Sequence, residues 1–129
     1  MNAIDTNLLV RYLVRDDIRQ YERAGGVIEG APFLLLTTVL LETEWVLRYT
    51  YDYAALKVSE ALEAVAALPT VVLEAPDTVA LALRSMRDGL DFTDALHLAG
   101  AGECETFYTF DKALVRGATR RDGPKVVAP

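Results

Sequence analysis

Apolar residues come in short blocks along this chain, and their spacing alternates between a strand-like and a helix-like period. Met1 to Ile4 reads as a short buried strand that ends at Asp5. Thr6 is placed to cap a helix carrying Leu8, Leu9, Tyr12 and Leu13 inward. Asp16-Asp17 restarts or bends that helix, which runs on to Gly25-Gly26 or slightly beyond. After Pro32, the compact run Phe33 to Thr37 predicts a second strand. Thr38 then caps a long helix carrying Leu41, Trp45 and Leu47. Val58, Ala61, Leu62, Val65 and Leu68 keep helical spacing within Tyr53 to Leu68, and Pro69 stops the helix. Val71-Val72-Leu73 is a β-branched strand. Pro76 fits the first turn of a helix with Val79, Leu83, Met86 and Leu90 on one face. Gly89 and Asp91 punctuate the chain before Phe92 to Ala101, a helix apolar nearly all round and therefore expected to be buried. Thr106 to Phe110 is a further strand, and Val126-Val127 a short final one. Strands that alternate with helices predict an α/β domain with a mainly parallel sheet of four to five strands and helices on both faces.

Composition narrows this picture. The 129 residues suit one domain with one core, and about half of them are apolar, which excludes a disordered chain. No apolar run approaches the ~20 residues of a membrane span, so no membrane is expected as a partner. The first residues lack the basic and apolar regions of a signal peptide. Cys104 is the only cysteine, which excludes an internal disulfide and suits a reducing cytoplasm. A net charge of −6 argues against nucleic-acid binding driven by overall charge. It leaves room for a nuclease, since each divalent cation held by acids cancels two negative charges locally.

The candidate chemistry lies in the acids. Asp5 follows an apolar start, Glu42 interrupts Val39-Leu40-Leu41, Asp94 opens Ala95-Leu96-His97-Leu98-Ala99, and Asp111 follows Phe107-Tyr108-Thr109-Phe110. A carboxylate at the edge of a core must be paired or bind a cation. In open α/β sheets, sites form outside the carboxyl ends of the strands, where Asp5 and Asp111 are expected. Two carboxylates ~4 Å apart repel by ~4 kcal/mol at an effective dielectric of 20. Gathered acids would therefore favour Mg²⁺ or Mn²⁺, both served by oxygen ligands.

Ile4-Asp5-Thr6-Asn7, Glu42-Thr43-Glu44-Trp45-Val46-Leu47, Asp91-Phe92-Thr93-Asp94-Ala95-Leu96-His97 and Thr109-Phe110-Asp111 together resemble the PIN-domain family. Within it they are most similar to the VapC-type toxins of prokaryotic toxin–antitoxin pairs. Each segment alone is weak; four in order, over essentially the whole chain, are specific. The resemblance implies a PIN-like three-layer α/β/α sandwich and a metal-dependent endoribonuclease, usually dimeric and held inactive by a small antitoxin. It carries the metal-site acids onto Asp5, Glu42, Asp94 and Asp111, with Asp91 as a further acid that also suits a helix N-cap.

Around these acids, Thr6, Asn7 and Thr109 are candidates to orient carboxylates or water, each with an alternative capping or turn role. Arg11, Arg15, Arg19 and Arg23 recur every four residues. They read mainly as a solvated face paired with Asp16, Asp17 and Glu22, with Arg11 and Arg15 the best candidates for RNA phosphate. Lys112, Arg116, Arg120 and Arg121 form a second basic cluster after Asp111. Glu44 is expected to be solvated, Trp45 to pack in the core or a dimer, and His97 to lie in the core or an interface. Two other functions fit parts of the pattern. A phosphoacceptor receiver domain would share the size and acidic pocket, but Val71-Val72-Leu73-Glu74 ends without the required Asp. A non-catalytic PIN-like binding module would share the fold.

Overall fold

The computed structural model describes residues 1–118 and 123–129. The chain forms two compact units, Met1–Pro76 and Asp77–Pro129. In the first, the elements are β1 (Asn2–Ala3), α1 (Thr6–Val14), α2 (Ile18–Gly30), β2 (Phe33–Leu35), α3 (Thr37–Tyr49), α4 (Ala55–Ala66) and β3 (Val71–Leu73). Pro76 opens α5 (Pro76–Arg87). The second unit continues with α6 (Phe92–Gly100), β4 (Thr106–Tyr108), α7 (Lys112–Ala118) and β5 (Lys125–Val127). Every described strand pairing is parallel, as helices between successive strands require. The strands order β1-β2-β3 in the first unit and β4-β5 in the second. The registers are Asn2 with Phe33, Leu34 with Val72, and Phe107 with Val126. The fold is thus of the expected mixed α/β type, with parallel strand pairing in each unit.

In the first unit, Phe33 and Leu35 point into a core shared with Leu9, Ile28, Leu40, Leu47, Val58 and Leu62, all essentially inaccessible to solvent. Phe33 is fixed further by its N–H, which donates to the Thr70 carbonyl at 2.9 Å. In the second unit Val79, Ala82, Phe92 and Ala95 are the most deeply buried apolar side chains. Gly89 ends α5 at φ +104°, a conformation that L side chains rarely adopt. The N–H groups of Gly89 and Leu90 return to the Met86 and Ser85 carbonyls, closing the last turn of α5 before α6 begins.

Several local expectations change. β1 is exposed at Asn2 and Ala3, and Ile4 just after it is buried; among the described residues β1 pairs with β2 alone. Asp5, not Thr6, caps α1: its Oδ1 accepts from the Thr6 N–H at 2.8 Å, and Thr6 becomes the first helical residue. Thr38 does not cap α3 either. That helix begins at Thr37, whose N–H donates to Glu74 Oε1 at 2.9 Å, so a carboxylate from the end of β3 does the capping. α6 is buried on one face only, through Phe92, Ala95 and Leu96, whereas His97 is exposed. The break at Asp16-Asp17 is as expected. Arg15 turns left-handed at φ 60°, and Asp17 caps α2.

Asp17 offers a test away from the candidate acids, since its Oδ1 caps α2 by accepting from the Gln20 N–H at 3.0 Å. Asp17→Ala should lower stability by about 1 kcal/mol and Asp17→Asn by much less. Urea midpoints of the two variants and the native chain would read this directly.

Candidate metal and RNA site

In the first unit, Asp5 and Glu42 line one cleft of about 320 Å³ together with Thr6, Asn7, Val10, Arg11, Val46, Thr50 and Tyr51. Asp5 is put there by its cap on α1, which occupies Oδ1. Glu42 projects from the exposed side of α3. Neither acid is buried, so the cost of burying a charge does not explain their presence. Thr6 is 7% exposed, and its Oγ1 has no hydrogen-bond partner among the described residues. A buried hydroxyl without a partner is costly and is the kind of group that an ordered water or ligand satisfies.

Arg11 supplies the positive charge of this cleft. Its Nε donates to Gln20 Oε1 at 2.6 Å and its NH1 to Tyr51 OH at 2.8 Å. The same NH1 meets both oxygens of Asp16, at 3.1 and 3.2 Å, and Tyr51 OH donates to Asp16 Oδ2 at 3.1 Å. Arg11, in the last turn of α1, therefore joins the start of α2 and the segment just after α3. The Arg15 guanidinium carbon lies over the Tyr21 ring, 4.7 Å from its centroid. Neither Gln20 nor Tyr51 carries a motif, and the clamp is invisible to sequence periodicity.

α3 holds the clearest correction. Glu44 is not solvated but 2% exposed, with Oε1 3.4 Å from Arg48 Nε. Residues two apart on a helix differ by about 200° in direction, so placing Glu42 on the exposed side sends Glu44 inward. Trp45, with Glu42 on the outer side, is 55% exposed and does not join the core. It packs against Tyr49 at 5.3 Å between ring centroids.

In the second unit, Asp91 caps α6, accepting from the Asp94 N–H at 3.3 Å. Asp94 follows in the first turn and is half-buried. Asp111 caps α7, its Oδ1 accepting from the Ala113 and Leu114 N–H groups at 2.9 and 3.1 Å. Thr109 Oγ1 accepts from the Asp111 N–H at 3.0 Å, so its hydroxyl fixes the turn that presents the acid. Burial pushes the Asp94 carboxyl above its ordinary range. The negative charges of Asp91 and Asp111 push it further, and His97 opposes them. The three acids are therefore electrostatic neighbours. Lys112 and Arg116 follow Asp111 on α7 and are exposed; Arg120 and Arg121 lie outside the described residues.

The donors suit a hard divalent cation, since they are carboxylate and hydroxyl oxygens, and a cation would relieve the crowding that resists ionisation of Asp94. Among the described residues, no group of three or more His, Cys, Asp or Glu side chains is gathered closely enough to hold a metal ion alone.

Asp5 and Asp111 thus cap helices that follow parallel strands, and Asp91 caps the helix that carries Asp94. The PIN domain family model matches residues 3–119, running across both units, and the chain belongs to the PIN domain family. Its function is accordingly of nuclease type. That membership sets aside the receiver-domain alternative, and Glu74, at the end of β3, has a capping role instead. No curated protein matches the chain. No helix among the described residues is long and apolar enough to cross a membrane.

The raised Asp94 pKa gives a signed pH dependence. Because the folded value lies above the unfolded one, the folded state binds the proton more tightly. Stability is therefore greatest below the ordinary carboxylate value of about 4 and falls as pH rises through the raised folded value. With EDTA present, Asp94→Asn should melt higher than the native chain above that window and lose this part of the slope. Parallel melting curves for the two proteins across pH 3–8 would show that Asp94 carries no such strain.

Proposed function

We propose that the protein is a metal-dependent endoribonuclease, the toxin of a VapBC-type toxin–antitoxin pair. The observation that carries the reading is the PIN match over residues 3–119, a range that contains Asp5, Glu42, Asp91, Asp94 and Asp111, with Asp94 near enough to Asp91 and Asp111 to feel their charges. Asp5, Glu42, Asp94 and Asp111 hold Mg²⁺ or Mn²⁺, with Asp91 either a further ligand or only the cap of α6. When bound, the cation supplies water activation and neutralises charge developing on the phosphorus and on the leaving oxygen. Thr6, Asn7 and Thr109 orient carboxylates or water around it. Arg11, Arg15, Lys112 and Arg116 contact RNA phosphates. Arg11 is the most firmly oriented of these, through Gln20, Asp16 and Tyr51.

Water, not the ribose 2′-hydroxyl, is the nucleophile. Products should therefore carry 5′-phosphate and 3′-hydroxyl ends. Asp5→Asn and Asp94→Asn should keep the fold and lose nearly all cleavage, as should EDTA treatment of the native protein. Gel analysis of end-labelled RNA checks all three. Cleavage that survives EDTA, or 2′,3′-cyclic phosphate ends, would defeat this chemistry. A folded protein with no cleavage of any RNA or DNA would favour the non-catalytic PIN-like module.

The same reading takes the chain as a single cytoplasmic PIN domain that works as a homodimer. Leu56, Trp45 and Tyr49 are exposed on α3 and α4, where a second copy would cover them. The antitoxin is expected to place a basic side chain among the carboxylates, where it would occupy the cation's position and exclude substrate. Light scattering should give a dimeric mass for the protein alone and a larger, non-cleaving complex after co-expression with a small protein encoded beside it. A monomer at micromolar concentration would remove the dimer; a complex that cleaves as fast as the free protein would remove the inhibitor.

A further inference from the structure

Phe110 has an exposure that the folded chain does not explain. It is 86% accessible, the most exposed of the large apolar side chains described, and Tyr108 two residues earlier is 67% accessible. Burying a Phe side chain is worth ~1.5–3 kcal/mol, so leaving one in water forgoes a large stabilisation. Nor is this a loose tail. The Thr109 N–H donates to the Val127 carbonyl at 3.0 Å, and the Asp111 N–H to Thr109 Oγ1 at 3.0 Å. Asp111 is in turn fixed to the first amides of α7. The residues on both sides of Phe110 are therefore held, and its ring is presented from an ordered turn.

The neighbours say what chemistry the ring meets. Asp111 is the next residue, and Asp94 senses its charge. Lys112 follows, and Arg116 shares its side of α7 one turn later. An exposed aromatic ring that precedes an acid and two cations of α7 in the chain matches a ligand that joins a planar base to an anionic phosphate. Unpaired bases stack on exposed aromatic rings while cations track the backbone, the general pattern of single-stranded nucleic-acid binding.

We propose that Phe110 is a base-stacking residue that holds one unpaired nucleobase of single-stranded RNA beside the scissile phosphate, with Lys112 and Arg116 on adjoining phosphates. The inference rests on the ribonuclease reading and adds the side chain that holds the strand: the base it takes must be unpaired, because a base within a duplex offers no free face.

The test uses the full-length chain carrying Asp94→Asn, so that bound RNA survives, and a fluorescein-labelled single-stranded oligoribonucleotide read by anisotropy. Adding Phe110→Leu should weaken binding about ten-fold, within the range measured for loss of one stacked base, whereas Phe110→Trp should bind as tightly as Phe110. An oligonucleotide with one abasic position should reproduce the loss, and Phe110→Leu should cost nothing further on that strand. That shared loss separates stacking from a structural role. In the cleaving protein, the same substitution should raise KM about ten-fold with kcat little changed.

If Phe110→Leu binds and cleaves like the native chain, the inference is wrong and the ribonuclease reading stands. If the native chain neither binds nor cleaves RNA, both are wrong. Lower mass in light scattering on Phe110→Leu, or loss of antitoxin binding without loss of RNA binding, would assign the ring to a protein partner and overturn the proposal.

Discussion

The hydrogen bond between an aspartate and the first amides of a helix is the interaction on which this structure's chemistry depends. Asp5, Asp91 and Asp111 each begin a helix in this way, at α1, α6 and α7. Unsatisfied N–H groups at a helix start need an acceptor, and their partial positive charge favours a carboxylate there. At Asp5 and Asp111 the cap engages Oδ1 alone, and Oδ2 makes no hydrogen bond among the described residues. One side chain thus has two jobs that do not compete: one oxygen fixes its position, and the other faces outward. Loss of the carboxyl removes both, whereas Asn keeps an acceptor for the amides and discards only the charge.

Charge is organised differently around the two groups of acids. Asp5 and Glu42 share their cleft with Arg11, whose guanidinium is already engaged by Asp16, Tyr51 and Gln20. In the second unit the Asp94 pKa is raised, by burial first and then by the charges of Asp91 and Asp111. Arg11 also lines a second cleft of about 440 Å³ between α1 and α2, with Asn7, Gln20 and Arg23. The surface pair Arg11–Asp16 adds little stability by itself. Its effect is geometric, because three elements converge on one planar group whose donors have fixed directions.

Much of this was legible in the residues. Period and breakers located all the strands, from Phe33-Leu34-Leu35 to Val126-Val127, because β-branched and apolar runs between Pro, Gly and Asp have few other solutions. The acids stood out through their apolar flanks, although Asp5, Glu42 and Asp111 proved exposed, so position at strand and helix ends mattered more than burial. What stayed hidden depends on contacts distant in sequence. The Glu74 cap on α3 and the Tyr51 contact to Arg11 span 37 and 40 residues, and no local pattern encodes them. The fate of Glu44 was a matter of helical phase: a shift of two residues decides which of two glutamates meets solvent, and flanking hydrophobicity alone does not set it.

That phase has an evolutionary consequence. α3 carries Glu42 outward to its cleft and Glu44 inward to Arg48 on a single turn of helix. A point substitution elsewhere on its exposed side leaves this arrangement alone. One residue inserted early in the helix, however, would turn everything after it by about 100°. Glu42 would leave the cleft, and a charged Glu44 would move away from the surroundings that accommodate it. The length of the segment from Pro32 to Glu42 is therefore constrained more tightly than its composition. Drift in this lineage should accumulate as replacements along α3, with length changes falling outside the span from Pro32 to Tyr49.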